Sequence, residues 1–151
     1  MKAYRLQAKT LSATEAAYVA GLVDGEGCIT AVSRRSCIEG GMSLGSTNRD
    51  VLVYLKELTG IGSVTPEGHG RQRKKNHKPV YVWEVTVYPV KSLLIQLVPF
   101  LRIKKKQAEL MIELFSFSKY PTQLVSSRQL GMISEFRELN FRGVKETVQS
   151  N

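Results

Sequence analysis

Apolar residues recur at helical spacing over residues 12–27, and they leave a second face built almost wholly of small side chains. Tyr18, Val19, Leu22 and Val23 make the apolar side. Ala13, Ala17, Ala20, Gly21 and Asp24 follow i, i+4, i+7, i+8 and i+11 on the other. Ser12 and Glu15 stand at capping-box spacing with Leu11 as a staple, so the helix is expected to start there. Gly25 and Gly27 are expected to end it by supplying positive φ, which leaves Glu26 at the tip. The small-residue face is nearly bare backbone and admits close approach of another helix.

Beyond that helix the period changes to two. Cys28, Thr30, Val32, Arg34 and Ser36 alternate with Ile29, Ala31, Ser33 and Arg35, as in a strand with two distinct faces. Glu39-Gly40-Gly41 reads as a turn, and Met42 and Leu44 mark the inner face of a returning strand that ends near Thr47. Asp50 is placed to cap a helix through Val51, Leu52, Leu55 and Leu58, closed by Gly60 and Gly62. A second hairpin joins residues 63–65 to 80–88 across a long loop. Residues 89–98 read as a short helix with Leu93, Leu94 and Leu97, stopped by Pro99. A longer helix is expected from about residue 105, with Ala108, Met111, Ile112 and Phe115 inward and Pro121 as its break. The last, 126–139, offers Leu130, Ile133 and Phe136. The resulting order, αββαββα followed by C-terminal helices, is an α+β fold.

With 151 residues and 42% hydrophobic content, the chain is expected to form one domain with a substantial core, flanked by an N-terminal extension (1–11) and a polar tail (141–151). Lys and Arg number 22 against 13 Asp and Glu, a net charge of +9 that points to a polyanion such as nucleic acid. No apolar run approaches the roughly 18 residues of a membrane span, so no membrane partner is expected. Residues 1–14 carry Lys2, Arg5 and Lys9 but lack the apolar segment of a secretory signal. Cys28 and Cys37 have neither CxxC spacing nor nearby His pairs, which argues against a zinc site or a disulfide framework.

Chemistry concentrates near Glu26. Residues 24–29 echo a calcium-binding EF-hand loop, but its first and twelfth ligand positions fall on Leu22 and Ser33, neither of them charged. A phosphate-binding loop would need a Gly-Lys-Ser/Thr ending that is missing. The nine residues Val19-Ala20-Gly21-Leu22-Val23-Asp24-Gly25-Glu26-Gly27 instead resemble the signature of the LAGLIDADG homing endonucleases, with Val19 in place of the usual leucine and Glu26 in place of the commoner aspartate. The segment from Leu97 through Lys104-Lys105-Lys106 to Ala108 is similar to a second stretch of the single-motif algal chloroplast enzymes. Physics bears independently on this lysine cluster, since cations at a helix start oppose the macrodipole and suit a bound anion better than a bare end.

The resemblance covers nearly the whole chain and implies a two-hairpin curved antiparallel sheet that saddles DNA, with helices on its other side. It implies that Glu26 and the Gly25 carbonyl bind a divalent metal, most simply Mg2+, and that Lys104 serves the same centre. A water-ordering residue follows the second strand; alignment puts Asn48 there, with Thr47 as the alternative and helix capping as the competing role for Asn48. Base recognition is expected from outward positions Thr30, Val32, Arg34, Ser36 and Ser43, because a two-stranded ribbon fits the major groove. Arg71, Arg73 and Lys75 belong to a basic arm expected to follow flanking phosphates. Tyr81 and Trp83 share one strand face, as DNA contacts or as core. Homodimerisation is expected through Ala13, Ala17, Ala20, Gly21 and Asp24, since one motif supplies one centre and a duplex has two strands. The implied activity is sequence-specific, metal-dependent double-strand cleavage of a long, roughly palindromic site; a non-cleaving maturase or regulator on the same fold is the alternative. The implied location is an organelle or a prokaryotic cytoplasm.

Overall fold

The computed structural model describes residues 6–34, 37–67, 77–86, 88–116 and 126–141. In chain order these form α1 (Ala13–Glu26), β1 (Gly27–Arg34), β2 (Cys37–Ser46), α2 (Arg49–Thr59), β3 (Ser63–Pro66), β4 (Tyr81–Thr86), α3 (Tyr88–Leu97), α4 (Lys105–Leu114) and α5 (Ser127–Leu139). The strands make one antiparallel sheet in the order β1-β2-β4-β3. Helices cover one face, burying Ile29, Ala31, Met42, Leu44, Trp83 and Val85 against Val19, Val23, Leu55, Leu93, Met111 and Phe136. The other face carries no helix among the described residues.

The expected αββαββα order is present, and α1 begins with the capping box, Glu15 N–H donating to Ser12 Oγ at 3.2 Å and Ser12 N–H to the Glu15 carboxylate at 2.7 Å. Its end differs from expectation. Gly25 is helical and Gly27 is extended at φ −83°, so neither uses positive φ. Gly27 is required for space: a Cβ there would lie 2.7 Å from Val23 O. Among the described residues the left-handed glycines are Gly60, which caps the end of α2, and Gly62, just before β3.

The first turn is also displaced. Glu39, Gly40 and Gly41 are not a turn but lie inside β2, opposite Val32, Ala31 and Thr30. Gly40 and Gly41 belong there because backbone crowds them: added Cβ atoms would meet Thr30 O at 2.5 Å and Val85 O at 2.2 Å. The chain reverses between Arg34 and Cys37, and Ser36 lies outside the described residues. Asn48, not Asp50, caps α2. The helix from Lys105 spans only ten residues, and Pro121 lies outside the described residues. Leu130 is exposed, and Met132 joins Ile133 and Phe136 on the buried side of α5. Among the described residues no helix is long and apolar enough to cross a membrane.

Candidate active centre and nucleic-acid interface

Both ends of α1 are fixed by contacts distant in sequence. At its start, Leu11 N–H donates to Gln96 Oε1 and Ala8 N–H to Ser92 Oγ, each at 2.8 Å, which ties the entering chain to α3. At its end, the Asp24 carboxylate accepts the consecutive amides of Arg102 (2.7 Å), Ile103 (3.2 Å) and Lys104 (2.9 Å). The Lys104 ammonium returns to the Asp24 carbonyl at 2.6 Å. Lys104 is therefore both the residue preceding α4 and a cation set into the last turn of α1.

The electrostatics follow from helix geometry. The last carbonyls of a helix lack intrahelical partners and carry the negative end of the macrodipole. Glu26 adds a full negative charge to that end, an arrangement disfavoured by about 0.3–1 kcal/mol unless a cation answers it. Lys104 answers part of it through Asp24 O. Glu26 itself is exposed and has no hydrogen bond or ion pair among the described residues. Burial raises the Asp24 pKa, but the backbone amides of Arg102, Lys104 and Ile103 and the charge of Lys104 outweigh it and hold the carboxyl below its ordinary 3.8.

A carboxylate with adjacent main-chain carbonyls is a hard-oxygen donor set, the kind that suits magnesium or calcium when phosphate oxygens and water complete the shell. The Glu26 side chain is exposed, so its carboxylate is open to such ligands. Among the described residues no three His, Cys, Asp or Glu side chains gather into a protein-only metal cluster. Asn48 caps α2 through Oδ1, which accepts Asp50 N–H at 3.1 Å and Val51 N–H at 3.3 Å. Its side-chain amide nitrogen has no partner among the described residues.

The helix-free sheet face lies beside this centre. Thr30, Val32 and Arg34 of β1 alternate onto it as expected, with Ser43 on β2. Arg34 Nε pairs with Glu39 across the hairpin at 3.3 Å, an exposed pair of small energetic value that orients the guanidinium. An open groove of about 340 Å³ crosses the face between Thr30, Ser43, Glu84 and Thr86. Trp83 is not part of it. Its side chain is 0% exposed and its Nε1 donates to Ile61 O at 3.1 Å, while Tyr81 packs partly buried against the same core. Strand alternation explains the correction: Tyr81, Trp83 and Val85 form the inner stripe, and Val82, Glu84 and Thr86 face outward. The missed signal was the alternation of Trp83 and Val85 with the polar, exposed Glu84 and Thr86. Arg71, Arg73 and Lys75 lie outside the described residues.

The small-residue face of α1 is rotated from its expected position. Ala20 is buried at 0% exposure and belongs to the core, and Asp24 is engaged by the 102–104 turn. The open face runs through Ala13, Ala17, Gly21 and Gly25, with Tyr18 beside it in edge contact with Tyr54 at 6.2 Å.

This fold is that of the LAGLIDADG homing endonucleases. The chain is similar in structure to I-CvuI, solved in complex with a DNA target in the presence of Mg, with 23% identity over 89% of this chain and 86% of that one at a TM-score of 0.66. It resembles the archaeal intron-encoded I-Vdi141I in complex with DNA, with 18% identity over 88% of each chain and a TM-score of 0.57. Similarity to the DNA-bound meganuclease I-AabMI, at 13% identity and TM-score 0.59, covers 86% of this chain but 46% of that one. No protein-family model and no curated protein sequence matches.

Proposed function

We propose that the chain is a sequence-specific DNA endonuclease that hydrolyses phosphodiesters with a divalent metal. The carrying observation is the end of α1, where Glu26 stands unpaired and the Lys104 ammonium is held at the preceding turn, next to an open polar sheet face. Glu26 and the Gly25 carbonyl would hold the metal, Mg2+ by the hardness of the donors, and bound metal would supply Lewis-acid stabilisation of the scissile phosphate. Lys104 is the chain's own fixed positive group for charge developing on that phosphate. Two candidates stand to order the attacking water: the Asn48 side-chain amide nitrogen, which capping through Oδ1 leaves without a partner among the described residues, and the exposed Thr47. Thr30, Val32, Arg34 and Ser43 line the surface for base edges, and the basic segment 68–79, with Arg71, Arg73 and Lys75, suits flanking phosphates.

Two chains are needed to present two centres to a duplex, and the structural correspondence to less than half of I-AabMI supports pairing of two such units. A non-cleaving DNA or RNA module of the same fold would have no use for an unpaired carboxylate at the helix end to which a lysine is clamped. The test is incubation with a randomised duplex library with and without Mg2+, followed by sequencing of the cut ends. Enrichment of one roughly palindromic family of cut sequences in the Mg2+ arm is expected; bound but intact duplexes in both arms would leave binding and remove the enzyme.

A further inference from the structure

The open sheet face carries carboxylates, which is unexpected on a surface for a polyanion in a chain of net charge +9. Glu39 is accounted for by its pair with Arg34 at 3.3 Å. Glu84 is not. It projects from the middle of β4 on the helix-free side, paired in register with Ser43 on β2 and Ser63 on β3. Its neighbours along the strand on that face are Val82 and Thr86, so its surroundings in the sheet are neutral. It lines the open groove and has no ion pair or hydrogen bond among the described residues.

A carboxylate in that position loses water when a duplex docks and is repelled by phosphates. It is tolerated only where a donor replaces the water. In the major groove guanine offers the O6 and N7 acceptors and thymine the O4 acceptor and a methyl group. Adenine offers one donor beside an acceptor, whereas cytosine presents its N4 amine with no adjacent acceptor on the same base. On the duplex-binding reading above, on which this rests, we infer that Glu84 is a specificity-determining residue that accepts a hydrogen bond from cytosine N4 at one position of the bound site. The same carboxylate excludes guanine and thymine there by leaving two acceptors face to face.

The test is selection from a randomised duplex pool, run side by side with the wild-type protein and with Glu84→Gln, in Ca2+ so that bound sites are recovered. The wild type should prefer cytosine by roughly tenfold at one position per half-site. Glu84→Gln should lose that preference and gain adenine, which a glutamine amide matches bidentately, with every other position unchanged. That unchanged remainder also reports an intact fold. An identical profile in both proteins overturns the assignment while leaving duplex recognition standing. So does a uniform gain in affinity with no altered preference, which would make Glu84 a charge brake. If the wild type enriches no sequence, the duplex-binding reading falls and the role of Glu84 falls with it.

Discussion

Lys104 and Asp24 hold each other by two bonds, the lysine ammonium on the aspartate carbonyl at 2.6 Å and the lysine amide on the aspartate carboxylate at 2.9 Å. One end of this clasp is the last turn of α1, two residues before Glu26; the other is the start of α4. The acid and the lysine are thereby set in a fixed relation although they lie far apart in the chain.

Lys104→Met should reduce the cleavage rate about 10²-fold or more while weakening DNA binding less than tenfold. A preplaced charge aimed at the transition state acts on the rate, and one of many positive groups contributes little to total affinity. Single-turnover cleavage and binding in Ca2+ separate the two. Equal losses in both would make Lys104 an ordinary phosphate contact.

Asp24→Asn should destabilise the fold by about 1 kcal/mol at neutral pH, a low figure for charge-assisted bonds because the site is partly exposed to solvent. The sign with pH follows from the depressed carboxyl: its contribution is complete above the ordinary value of 3.8 and is lost as pH falls through the lower folded value. Urea unfolding of both proteins should therefore show a gap that is constant near neutrality and closes under acid. A gap that widens below pH 4 would contradict the clasp.

The capping box at Ser12 and the α1 signature were legible because their partners lie within a few residues. The clasp was not, since Asp24 meets amides that are 78 to 80 positions away. Paired glycines at 40 and 41 mimicked a turn, yet they serve the close passage of neighbouring strands, a requirement visible only once the register is known. Trp83 was half readable: sharing a strand face with Tyr81 left DNA contact and core both open, and the alternation of Trp83 and Val85 with Glu84 and Thr86 assigns it to the core.

Trp83→Ala should cost about 3–5 kcal/mol, as expected for truncating a fully buried aromatic. Trp83→Phe should cost less but leave the Ile61 carbonyl without its 3.1 Å partner. Neither change should alter the sequence profile of cleaved sites, assayed at a temperature where the variant is folded. A changed profile would return Trp83 to the DNA surface.

Glu26→Gln should keep binding and remove cleavage, because the amide preserves size and loses the charge that holds metal. Mg2+-dependent cutting at near wild-type rate would sink the assignment of the metal ligand.

Gly21→Leu tests the two-fold assembly. A Cβ at Gly21 meets nothing within 4 Å, so a leucine there fits the isolated chain, and replacing a helical glycine adds helix propensity of up to about 1 kcal/mol. The same is true of the space at Gly25, one turn further toward Glu26. An isologous contact along Ala13, Ala17, Gly21 and Gly25 would bring two backbones together where only small residues stand. A leucine at the middle of that contact holds them apart by overpacking, without touching Glu26 or Lys104. The variant should thus stay folded, giving up the stabilisation that the partner chain supplies, sediment as a monomer at micromolar concentration, and fail to make double-strand breaks. Sedimentation of the wild type under the same conditions supplies the reference. A wild-type protein that stays monomeric on cognate DNA and still cuts both strands, or a Gly21→Leu protein that dimerises and cleaves normally, would show that the open face of α1 is not where two chains meet.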